Sequence, residues 1–120
     1  QSPKHFFIPK FLLFASIFQL PLYILAPNFF AIIFLATLSY IDNPNKTENL
    51  YSYQLQFQSY DQCLQFYEDY QDKLLNGLLG HGKERFGNMQ IDYVSCAEVE
   101  ITTDLEIPNV IGQKPVYQRM

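Results

Sequence analysis

The sequence has no tryptophan, only two cysteines, two histidines and five glycines in 120 residues. It is also poor in positive charge, with eight Lys and Arg against twelve Asp and Glu. Phosphate backbones and anionic headgroups are held by grouped Lys and Arg, so nucleic acid and anionic lipid headgroups are not the partners expected of a chain without such a group. The cysteines, Cys63 and Cys96, are too far apart for a Cys-x-x-Cys redox centre. Neither histidine falls near them: His5 lies close to the start, and His81 lies at the far end of the helix predicted after Cys63. Asp69, Asp72 and His81 are the best available metal set, and their spacing fits solvated charge on a helix better than ligation. Glu98 and Glu100 share a strand face, but nothing beside them in sequence would raise the pKa of one for acid–base work. The glycines of Gly80–Asn88 superficially resemble a phosphate cradle. A P-loop, however, puts Lys-Ser/Thr after a strand and at the head of a helix, and no Ser or Thr follows Lys83. No enzyme chemistry and no cofactor is therefore expected; an extracytoplasmic enzyme with unassigned residues is the weaker alternative.

Charge is most conspicuously missing from Phe11 to Ile41, where no side chain carries any. A membrane helix needs about 20 apolar residues and a signal-peptide core about 7–15. Phe11–Ala26 is one apolar block and Phe29–Leu38 a second, with the break signal Pro27-Asn28 between them. As one helix the stretch would be about 46 Å long, too long for a hydrocarbon core of about 30 Å without strong tilt. Three readings stay open: a kinked membrane helix, a re-entrant hairpin, or an export signal with core Phe29–Leu38 cut after Ser39. Each makes membrane lipid the partner of residues 11–41 unless they are cleaved. Gln1 is not an ordinary translation start and reads as a processed or incomplete N-terminus. Lys4 and Lys10 precede the stretch, whereas all twelve acidic residues and six of the eight basic ones follow it, a formal −6. That bias places the later part of the chain on the extracytoplasmic side, anchored or released after cleavage.

The rest of the chain reads as a small module. Residues 42–49 cluster Asp, Asn, Pro and Lys and read as a linker; their triplet Asn45-Lys46-Thr47 is a weak glycosylation signal. In Leu50–Gln58, Tyr51, Tyr53, Leu55 and Phe57 alternate with Ser and Gln, the period of a half-buried strand with a Gln-rich outer face. That outer face is either a solvated surface or a surface for a ligand or partner. Ser59 with Gln62 forms a capping box, and Cys63, Phe66, Tyr67, Tyr70, Leu74 and Leu78 make one stripe of a helix ending near Leu79. Gly80–Asn88 reads as a loop. Met89–Ile101 reads as a second strand, apolar on both faces in its middle, as burial on two sides or a bulge near Ser95 would give. Residues 102–120 read as an extended tail, with Val110–Ile111 or Val116–Tyr117 able to add an edge strand.

The fold class expected is thus a small α/β protein: the hydrophobic segment 1–41, a linker over 42–49, a compact β-α-β module over 50–101 with parallel strands, and the tail 102–120. In such a unit Cys63 in the first helical turn and Cys96 in the second strand come to the same end. A disulfide between them is expected on the oxidising side of a membrane. The function expected is that of a binding or accessory module, with a protein partner or a second copy completing the edge of a two-stranded sheet.

Overall fold

The apolar run after the Pro27-Asn28 break is the centre of a β-sheet. In the computed structural model, which describes residues 28–102 and 107–120, Asn28–Tyr40 forms β1. It is followed by β2 (Asn43–Tyr51), α1 (Tyr60–Phe86), β3 (Met89–Thr102) and β4 (Asn109–Gln118). The sheet order is β2-β1-β3-β4, and every neighbouring pair is antiparallel. Phe29–Leu38, read as a possible export-signal core, lies in the strand on which the sheet is built, and a cut after Ser39 would remove that strand. Phe11–Ala26 lies outside the described residues. Among the described residues no helix is long and apolar enough to cross a membrane.

A strand can be this apolar because both of its faces are covered. Ile32, Phe34, Ala36 and Leu38 face the helix and are buried with Cys63, Leu74, Leu78, Val94 and Cys96. Ile33 and Leu35 face the other way and are buried with Ala97 and Val99, against Tyr51, Tyr53, Ile101 and Val110. Strands buried on two faces lose the alternation that marks a half-exposed one, so their sequence resembles a membrane segment.

The expected parallel β-α-β unit is corrected in its strands. The residues read as a linker are β2, an edge strand exposed along most of its length, with Leu50 as its buried anchor. Since β2 and β3 are each antiparallel to β1, they run parallel to each other on either side of it, and α1 connects them. The direction expected across the helix holds, but the two strands are not neighbours.

The segment after β2 is not the strand its period suggests. Tyr51 and Tyr53 pack on the face away from the helix, whereas Leu55 and Phe57 pack on the helix side. Residues of one parity in a strand share one face, so the chain must turn between the two pairs. It does so with Leu55 N–H donating to the Ser52 carbonyl at 3.1 Å. Phe57 then makes a single antiparallel bridge to Ile32.

Helix α1 is capped by Ser59 as expected, while Gln62 reaches back to the residue before the cap. Ser59 Oγ accepts from Gln62 N–H at 3.2 Å, and Gln62 Oε1 accepts from Gln58 N–H at 2.9 Å. The helix runs past Leu79 to Phe86, correcting the loop read over Gly80–Asn88. Gly82 explains the extension: its missing side chain lets the helix press on Leu38, whose Cδ2 occupies the place of a Cβ. The helix ends at Gly87, at φ 102, where the backbone favours glycine. Within the stretch read as a tail, Asn109–Gln118 is β4, which adds an edge strand to β3.

Strand β3 carries three register shifts, one beside Asp92–Tyr93 against β1 and two against β4, at Val94/Ser95 and Glu98/Val99. The first brings Met89, Ile91, Val94 and Cys96 to the same face. Cys96 thus shares the face of Met89 and Ile91, although simple alternation separates them.

Candidate functional site

Cys63 and Cys96 form a disulfide with Cα atoms 6.1 Å apart, and neither residue is exposed. It ties the first turn of α1 to the middle of β3. Such a bond belongs to an oxidising, extracytoplasmic environment. It also fixes two walls of a groove, because Asp61 and Gln62 sit beside Cys63, and Glu98 lies two residues beyond Cys96.

The floor of the groove is aromatic. Phe34 meets Phe57 edge-on, with centroids 5.6 Å apart, and Phe57 meets Phe66 at 5.5 Å. Phe66 meets Tyr70 at 4.8 Å. The rings lead from the buried core at Phe34 to the surface, where Tyr70 is 42% exposed. On the sheet side a hollow of about 350 Å³ is lined by Phe30, Ile32, Gln56, Phe57, Gln58 and Glu98. On the helix side Gln56 and Phe57 also line a shallower hollow of about 510 Å³, with Gln62, Gln65, Phe66 and Asp69. Among the described residues no Lys or Arg lines either hollow.

Gln56 stands at the junction of the two hollows. Its Nε2 donates to the Tyr53 carbonyl at 2.9 Å, and its Oε1 is buried without a partner among the described residues. Reversing the amide would set the oxygen against the Tyr53 carbonyl, so the acceptor is the atom left over. An unpaired buried acceptor costs about 1–3 kcal/mol.

The groove draws on residues the sequence presents in other roles. Gln56 and Gln58 come from the Gln-rich segment flagged as a possible surface, but through a turn and not a strand face. Phe30 is concealed within the apolar run, yet 62% of it is exposed because α1 does not extend over that end of the sheet. Glu98 and Glu100 are both on β3, and only Glu98 lines the groove. Asp69 accepts from Gln65 Nε2 at 3.0 Å. Among the described residues no three His, Cys, Asp or Glu side chains are grouped to hold a metal. A further hollow of about 360 Å³ lies at the other end of β1, around Leu79, Lys83, Tyr117 and Arg119. There Arg119 is engaged by Asp92 at 2.9 Å.

Compared with known proteins, the chain matches no family model, no curated protein and no solved structure.

Proposed function

We propose that this chain is a small exported module that works by binding on the extracytoplasmic side, with the groove around Gln56 and Phe57 as its working surface. The observation that carries the reading is the groove itself: aromatic rings on its floor, and amides and carboxylates on its rim. Sites that hold a ligand combine an apolar surface with a few fixed polar groups. The disulfide supports the compartment, since such bonds form and persist in oxidising surroundings. Phe11–Ala26, with Lys4 and Lys10 before it, is the stretch that would direct export or stay as an anchor, with the whole of β1 retained in the folded domain.

A photo-reactive phenylalanine analogue at Gln58, and separately at exposed His81, tests the working surface in the native compartment. Crosslinks from Gln58 to one defined partner peptide, absent from His81, are the expected result. Equal capture at both positions, or none at Gln58, would remove the groove from consideration.

A further inference from the structure

Strand β1 has one stretch of backbone edge that its neighbours leave open. Alternate residues of an antiparallel strand bond to alternate neighbours. Ile32 exchanges both of its backbone hydrogen bonds with Phe57, N–H to carbonyl at 3.2 Å and 2.8 Å. The N–H and carbonyl of Phe30, two residues back, therefore point towards the same edge and away from β3. Strand β2 pairs only from Leu35 onward. No described residue pairs with Phe30 on that side. Central strands do not normally present free backbone to a groove, because an unpaired edge is a template for another strand.

Three features meet at this edge. The backbone of Phe30 offers a donor and an acceptor in line with the Ile32–Phe57 bridge. Gln56 lines the same hollow, with its side-chain amide fixed on the Tyr53 carbonyl. Glu98, opposite Ile32 on β3, brings a carboxylate into a groove that has no basic residue among those described.

We propose that the groove takes an extended segment of a partner protein that carries Arg or Lys. The segment continues the line of Phe57 and adds as a short strand antiparallel to β1. Its backbone pairs with Phe30. The residue opposite Phe30 projects onto the same face as the Phe30 ring. A long cationic side chain there lies across that ring, which favours a cation, and reaches towards Glu98. Strand addition supplies affinity through the main chain, and the side-chain pocket supplies choice of partner. Arg suits the site best, since its planar head both stacks on a ring and binds a carboxylate.

This inference rests on the groove being the working surface, and the test separates the two. The probe is a fluorescein-labelled eight-residue peptide of alternating Arg and Val, titrated into the full chain by fluorescence anisotropy. One control peptide replaces Arg by Glu, and another carries N-methyl groups on alternate amides. Saturable binding of the Arg peptide is expected. It should weaken by at least about tenfold with Glu98→Gln, with Phe30→Ala and with the N-methylated peptide. Phe30 is largely exposed and Glu98 makes no buried ion pair, so both variants should keep the native circular dichroism spectrum. Equal binding of the Arg and Glu peptides, indifference to N-methylation, or no saturation up to about 1 mM peptide overturns the proposal. So does a dimer in sedimentation whose hydrogen exchange protects Phe30, which would make a second copy the occupant. Crosslinks from Gln58 to a partner without a basic segment would leave the groove standing and remove only the peptide.

Discussion

Gly82 shows how much one missing side chain decides. It is buried in the second half of α1, and Leu38, fully buried in the central strand, fills the space its Cβ would need. Leu38 cannot swing aside without entering the core. Gly82→Ala gains about 1 kcal/mol of helix propensity and loses about 1–3 kcal/mol to overpacking. A net loss of stability of about 1 kcal/mol is expected by urea denaturation. The double mutant with Leu38→Ala isolates the cause. Leu38→Ala alone should cost about 2–5 kcal/mol. The pair should cost less than the sum, because the Ala methyl enters the space that Leu38 vacates. Strict additivity would mean that the helix does not press on the strand at this point. The same close approach accounts for Gly80 and Gly82 belonging to the helix, although in the sequence they look like a loop.

At the scale of elements, the disulfide is the clearest case of structure legible in sequence. The stripe through Cys63, Leu74 and Leu78 put Cys63 inward, and the direction reversal across one helix brought Cys96 to the same end. Both inferences depend only on helix period and chain direction, so the missing central strand did not disturb them. Closing a loop over a sequence separation of 33 stabilises by about 3.8 kcal/mol in the chain-entropy model. Paired replacement Cys63→Ala/Cys96→Ala should therefore lower stability by about 2–4 kcal/mol, read as a fall in the urea midpoint and in Tm. It should also loosen the groove, since Asp61 and Glu98 are held through the same bond. A midpoint unchanged by the replacement would show that packing alone holds the helix start to β3. Other elements were hidden for physical reasons. Strand β1 carries no alternation because both its faces are buried, so Phe29–Leu38 has the composition of a membrane segment. Strand β2 carries Pro44, Asn45 and Lys46 because an edge strand needs few apolar contacts, so it reads as a linker. The Tyr-Tyr-Leu-Phe alternation kept its period but divided its residues between two faces. The site was legible only in its amides, since Phe30 stood inside the apolar run and Glu98 had no visible neighbours.

For the whole molecule, the question is whether the sheet needs a partner to be stable. A two-stranded sheet would, which made self-association the natural expectation from sequence. The four-stranded sheet removes that premise: its centre is paired on both sides, and both of its faces carry buried clusters. Its outer edges also carry the features that discourage pairing. Strand β2 is exposed along Pro44, Asn45 and Lys46, and a proline cannot donate to an incoming strand. Strand β4 has Lys114 and Pro115, both exposed, and two register shifts against β3 that disrupt a regular edge. Charged residues, prolines and bulges on edges oppose strand-to-strand association. The full chain is therefore expected to sediment as a monomer at micromolar concentration. Lys114→Val/Pro115→Val restores a donor and removes a charge on the β4 edge, and should produce concentration-dependent dimers. A native dimer at micromolar concentration would contradict the monomer, and a monomeric double variant would show that these two residues are not what keeps the edge unpaired. If both results hold, the short open stretch at Phe30 is a place where an added strand meets neither a proline nor a lysine, and where it meets a carboxylate and an aromatic ring.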